Sequence, residues 1–106
     1  MLVLGVAYKK DVGDIRESPA LKLIQLLQEK GAKVVYNDPY VPHIQLPQGN
    51  LNSIGLTEKR LSSGDCTVIA TDHSCYDYKR IVARSSLVFD TRGATRKLKS
   101  DNIIRL

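Results

Sequence analysis

Residues 1–39, MLVLGVA, YKKDVGDIRE, SPALKLIQLLQEKG, AKVVYNDP, read in turn as strand, loop, helix and strand. Met1 to Ala7 is a continuous apolar run, the pattern of a strand buried on both faces of a parallel sheet. It starts with no lead-in, so a preceding segment is expected. Lys9 to Glu17 is a polar loop. Ser18 offers an N-cap oxygen, and Pro19 suits the first helical position, where its missing N–H costs nothing. Ala20, Leu23, Ile24 and Leu27 form one apolar stripe, widened by Leu21 and Leu26. Gly31 then stops the helix. Ala32 to Tyr36 is a second strand, closed by Asn37-Asp38-Pro39.

Beyond this unit, Val41 to Asn50 is a loop with two prolines, Pro42 and Pro47, and little periodicity. A short strand is expected at Ile54 to Leu56. Thr57 caps a short helix through Leu61, ended by Gly64. Cys66 to Thr71 is another buried strand, Tyr76 to Ala83 a helix, and Leu87 to Asp90 a further strand. Thr91 to Ser100 is a basic loop, and Asn102 to Leu106 a last short strand. Strands alternating with helices predict one domain over residues 1–106: a three-layer, Rossmann-like α/β sandwich with a mainly parallel sheet.

The chain has 106 residues and a net charge of +5, from 16 Lys and Arg against 11 Asp and Glu. That balance favours an anionic partner. The cations are scattered, with no Trp and one Phe beside them, so the stacking platforms of a nucleic-acid binder are lacking. No stretch approaches the roughly 20 apolar residues of a membrane span, and no leader is recognisable. Cys66 and Cys75 form neither a CxxC nor a Cys/His cluster, which argues against zinc. A cytoplasmic chain with reduced thiols is expected.

In an open parallel sheet, ligands sit beyond the carboxyl ends of the strands, where strand order reverses. The first strand is followed by Tyr8, Lys9, Lys10, Asp11, Asp14 and Arg16. The later ends carry Asp38, then Asp72, His73 and Ser74, then Asp90, Thr91 and Arg92. Cations around Lys9 and Arg92 are expected to converge on one edge, as a phosphate requires. The alternative is that these cations are merely solvated, and that Asp14, Arg16 and Glu17 form a local ion-pair set beside the helix N-terminus. The GxGxxG fingerprint is absent, since only Gly5 and Gly13 are offered and Lys9 to Asp11 fill the turn. Asp38-Pro39 is then most simply a turn. His73 caps or bonds its own loop, Tyr76 and Tyr78 pack the following helix, and Cys66 is a small core residue. A His73–Cys75 nucleophile has weak geometry, being two residues apart in a loop.

The segment Gly5 to Pro19, GVAYKKDVGDIRESP, resembles the opening of the third domain of UDP-glucose and UDP-N-acetylmannosamine (or N-acetylglucosamine) 6-dehydrogenases: an aromatic–Lys pair, then Asp-x-Arg-x-Ser-Pro. Tyr36 to Tyr40 is similar to that family's "YDP" turn, and Asp65 to His73 and Phe89 to Arg92 to its later strands. Thr71 to Ser74 with Tyr76-Asp-Tyr78 resembles the N-acetylhexosamine branch. The resemblance implies the C-terminal, UDP-sugar-binding domain of an NAD-dependent enzyme that oxidises a sugar C6 alcohol to a carboxylate. Substrate contacts would then fall to Tyr8, Lys9 and Arg92, and a contact with the cofactor cleft to Arg16. NAD would be bound mainly by an N-terminal domain, and the partners would be a UDP-sugar and the N-terminal and central domains, with homo-oligomerisation left open. Neither cysteine matches the family's catalytic one, so the chain alone is expected to be inactive. Gly93 stands in place of the family's Asn, and Gly13 where Asp or Glu is common; both are expected to loosen their loops. The competing reading is a stand-alone interaction or regulatory module derived from that domain.

Overall fold

The computed structural model describes residues 1–105. Its main sheet has five strands: β1 (Leu2–Leu4), β2 (Val35–Asn37), β5 (Thr67–Ile69), β6 (Val88–Asp90) and β7 (Ile103–Arg105). They lie in the order β2-β1-β5-β6-β7, and every pairing is parallel. Helix α1 (Pro19–Glu29) crosses from β1 to β2, and α3 (Tyr78–Arg84) from β5 to β6; α2 (Glu58–Ser63) lies on the way from β2 to β5.

The strands alternate their side chains between two apolar layers, as the pleat requires. Val3 and Val68 share one layer with Ala20 and Ile24 of α1. Leu2, Leu4, Ile69 and Val88 share the other with Leu61 of α2 and Ile81 and Val82 of α3. The expected α/β architecture with its parallel sheet is therefore the observed one.

Several local expectations are corrected. Strand β1 ends at Leu4 because Gly5 turns into the left-handed region, at φ 83°, although residues through Ala7 stay buried. Residues 43–52 are not a plain loop: β3 (His43–Ile44) and β4 (Leu51–Asn52) pair antiparallel. The strand expected at Ile54 to Leu56 is absent, since β4 and the Tyr36–Ser53 bridge already satisfy that edge. Ser18 holds the N-cap position, yet its hydroxyl donates to the Val6 carbonyl (2.6 Å) and not to a helix amide. A buried carbonyl just past the end of β1 needs a donor more than an exposed helix start does. Leu26 is 57% exposed, because it lies about 200° around the helix from Ile24, at the centre of the buried stripe. Helix α3 starts at Tyr78, where the Asp77 carboxylate accepts from the Arg80 amide. Thr57 caps α2 as expected, accepting from the Arg60 amide. The last expected strand reached Leu106, which lies outside the described residues.

Candidate functional site

The chain runs outward from β1 to β2, then returns across β1 to β5. Strand order thus reverses between β1 and β5, and a crevice opens beyond their carboxyl ends. The loop after β1 enters it through Gly5, where an added Cβ would lie 2.4 Å from the Thr71 Cβ. Only glycine lets these two backbones approach so closely.

The loop is then anchored at successive points. The Val6 and Ala7 amides donate to Asp38 Oδ2 at 2.8 and 3.2 Å, and the Thr71 hydroxyl donates to the Ala7 carbonyl at 2.7 Å. The Tyr8 amide closes the loop on the Asp14 carbonyl (2.7 Å). The Asp11 amide donates to His73 Nδ1 (2.7 Å), and the Asp11 carboxylate accepts from the Ser74 amide and hydroxyl at 2.7 and 2.6 Å. Those two Ser74 donors hold the Asp11 carboxyl below the usual carboxylate range, hydroxyl first.

Three of the four expected site residues share a cleft of about 410 Å³, lined by Tyr8, Lys9, Asp14, Arg16 and Glu17. Tyr8 is 43% exposed. Arg16 is engaged: its Nε and Nη2 donate to the Asp14 carboxylate at 3.1 and 2.9 Å. The guanidinium pulls the Asp14 carboxyl down to about 2, and the carboxylate pushes Arg16 up in return. The local ion pair read as one alternative is thus real, while Lys9 makes no ion pair among the described residues.

Arg92 reaches the same edge from β6. Its Nε donates to the Ala70 carbonyl (3.0 Å) and its Nη2 lies 3.4 Å from the Tyr8 carbonyl. It also lines a neighbouring depression of about 350 Å³ with Pro19, Ala20 and Leu23 of α1. Its turn is built by Asp90, whose carboxylate accepts from the Arg92, Ala94 and Thr95 amides and the Thr95 hydroxyl. Burial works to raise the Asp90 carboxyl, but these donors outweigh it and hold it low.

Asp38 and His73 carry more than the sequence reading gave them. Asp38 is no simple turn residue, and His73 bonds across the crevice as well as within its loop. Both are fully buried, with His73 Nε2 2.9 Å from Asp38 Oδ2. Nothing local signals a contact between residues 35 apart; the one hint is His73 following closely on the apolar run that ends at Ala70. The two glycines expected to loosen their loops do not do so alike. An added Cβ on Gly13 would lie 2.7 Å from the Tyr40 carbonyl, so Gly13 marks a close contact. Gly93 takes φ 72° with open space around it.

Residues 2–97 match the model of the UDP-glucose/GDP-mannose dehydrogenase family, UDP binding domain. A UDP-N-acetyl-D-mannosamine dehydrogenase of Methanococcus maripaludis is 33% identical over 98 residues, covering 85% of this chain and 22% of the relative. The solved UDP-D-ManNAc dehydrogenase of Pyrococcus horikoshii superposes on 98% of this chain and 24% of its own, with a TM-score of 0.69 and 30% identity. A UDP-glucose 6-dehydrogenase of Gallus gallus is 46% identical over 44 residues, 42% of this chain and 9% of the relative. The chain thus spans about a fifth of the length of the first of these relatives.

Proposed function

Because this chain belongs to the UDP binding domain of the UDP-glucose/GDP-mannose dehydrogenase family, we propose that its Tyr8–Lys9 loop, with Arg92, binds the UDP half of a nucleotide sugar. The observation that carries this reading is the meeting of the β1 and β6 loops at the switch point, where Arg92 braces the Tyr8 carbonyl beside the free Lys9 ammonium. A pyrophosphate there would be met by Lys9 as a point charge and by the Arg92 guanidinium. The exposed Tyr8 ring offers a flat apolar face to the nucleoside.

The parent protein, in this reading, is a cytoplasmic NAD-dependent UDP-sugar 6-dehydrogenase, with a UDP-N-acetylhexosamine favoured by the mannosamine dehydrogenases among its relatives. NAD and the oxidised C6 alcohol are handled by its other domains, and Arg16, paired with Asp14, is the residue of this domain proposed to contact the cofactor cleft. The test is a protein-observed NMR titration with UDP, with UMP and inorganic phosphate as controls. Shifts gathered on Tyr8, Lys9 and Arg92, with Kd on the order of millimolar for a half-site, support the reading. No response to UDP at several times that concentration overturns it for this chain.

An interaction module is the second reading, favoured by one feature: an apolar depression of about 390 Å³ on the α1 side, lined by Met1, Leu23, Leu27, Val68 and Phe89. Under the first reading the parent's other domains or a second copy cover this face. Under the second it recruits an unrelated protein, and UDP leaves the spectrum unchanged.

A further inference from the structure

Among the anchors of the loop that carries Tyr8 and Lys9, one is a buried imidazole. A backbone amide can only donate, so the 2.7 Å contact from the Asp11 amide makes His73 Nδ1 an acceptor without a proton. The ring proton then sits on Nε2 and points at Asp38 Oδ2, 2.9 Å away. Asp38 Oδ2 in turn collects the Val6 and Ala7 amides, and Oδ1 collects the Tyr40 amide (2.8 Å). Residues 6, 7 and 11 are therefore pinned on either side of Tyr8 and Lys9, all through the His73–Asp38 pair. Tyr40 and Tyr76 flank the ring at centroid distances of 4.8 and 5.8 Å, and the Tyr78 hydroxyl holds the His73 backbone by donating to its carbonyl at 2.7 Å.

We propose that His73, held as the neutral Nε2–H tautomer, is the positioning residue for the nucleotide loop, and that its Nδ1 lone pair keeps Tyr8 and Lys9 in the conformation that receives UDP. This rests on the UDP-binding reading above. His73 touches no ligand; it acts through the Asp11 amide. That amide belongs to a residue in the left-handed region, at φ 64°, which persists only while its surroundings hold it. With Nδ1 gone, the Asp11 amide loses its partner, and this residue is left held by its carboxylate's bonds to the Ser74 amide and hydroxyl alone.

Two substitutions separate the two ring nitrogens. Asn places a carbonyl oxygen near the Nδ1 position, and Gln places an amide nitrogen near the Nε2 position. His73→Asn is expected to keep the Asp11 bond and stay within about twofold of wild-type UDP affinity. His73→Gln keeps the Asp38 bond but loses about tenfold. The amides of Val3 and Val68, deep in β1 and β5, report that both variants remain folded. A second readout needs no ligand: hydrogen exchange at the Asp11 amide and the Tyr8 and Lys9 amide shifts should change in His73→Gln and not in His73→Asn. If wild type ignores UDP, the binding reading fails, and these loop amides still decide whether His73 positions the loop. If UDP binds wild type and the two variants behave alike in both readouts, the positioning role is overturned while the binding reading stands. Should His73→Gln not fold, the long-range proton–nitrogen spectrum of wild-type His73 decides: a proton on Nε2 alone is expected, and one on Nδ1 overturns the proposal.

Discussion

Arg92 and Tyr8, 84 residues apart in the chain, meet at 3.4 Å, guanidinium to backbone carbonyl, where the loops after β6 and β1 converge. Arg92 spends its Nε on the Ala70 carbonyl as well, so a single side chain ties three strand ends together. Its forked donors are what make this geometry available. A Lys would carry the charge on one nitrogen and could not serve both carbonyls along fixed directions. Arg92→Lys is therefore expected to lower stability by about 1 kcal/mol, read as a urea midpoint, and to weaken UDP binding about tenfold. Lys9→Ala should weaken binding by a similar factor and leave the urea midpoint unchanged, because Lys9 makes no ion pair among the described residues. Equal effects of both substitutions on stability would remove the distinction between bracing and binding.

How much of this was legible beforehand follows from the range of each interaction. The apolar run at Met1 to Ala7 and the stripe on α1 repeat within a few residues, so the parallel sheet, its helices and the convergence of the Lys9 and Arg92 loops could be read from periodicity and topology. The β3–β4 hairpin could not, because strands of two residues have no period. Neither could the His73–Asp38 pair or the Asp90 cradle under Arg92, since an acid at a strand end looks the same whether it faces water or gathers buried amides. Ser18 shows the converse case: the residue type was right for a cap, and a distant carbonyl took its hydroxyl.

Two glycines should respond very differently to substitution. Gly5 combines φ 83° with a virtual Cβ 2.4 Å from the Thr71 side chain and 2.7 Å from its carbonyl. Gly5→Ala is expected to cost at least about 2 kcal/mol, since both the dihedral and the contact must give. Gly93→Asn meets open space at φ 72°, a region Asn tolerates. Its cost should stay below about 1 kcal/mol. Urea denaturation of the two variants checks this, and a larger loss for Gly93→Asn would contradict it.

Alkali should unfold the domain through its buried phenols. Burial, and then the nearby Asp38 carboxylate, push Tyr36 up to about 12; burial first, followed by neighbouring acidic groups, raises Tyr76 and Tyr78 as well. Each hydroxyl donates to a backbone carbonyl: Tyr36 to Val41, Tyr76 to Asn37 and Tyr78 to His73. The native state therefore holds protons that the unfolded chain releases near pH 10. Stability is complete below that pH and falls as pH rises from about 10 through about 12. The urea midpoint should hold up to about pH 10 and decline between about pH 10 and about pH 12, and Tyr36→Phe should remove part of the slope. A flat profile would mean that the phenols ionise without loss of packing.

The thiols test whether any dehydrogenase chemistry resides in this chain. Thiol reactivity belongs to the thiolate, and both thiols here are pushed up. For buried Cys66 the main cause is burial; for exposed Cys75 it is partial burial, followed by the Asp11 and Asp38 carboxylates. His73 cannot serve Cys75 as a base, since both its ring nitrogens are already bonded, to Asp11 and Asp38, and at Cys66 the nearby N-terminal ammonium only partly offsets burial. In the native protein near pH 7, a disulfide reagent should therefore modify Cys75 more slowly than a free thiol and leave Cys66 untouched. Both should react at ordinary rates in urea. With a UDP-sugar and NAD, the pure chain should produce no NADH. Rapid native labelling of Cys75 together with NADH formation would place chemistry in this domain, whereas slow labelling without turnover leaves it the part of a binding lobe.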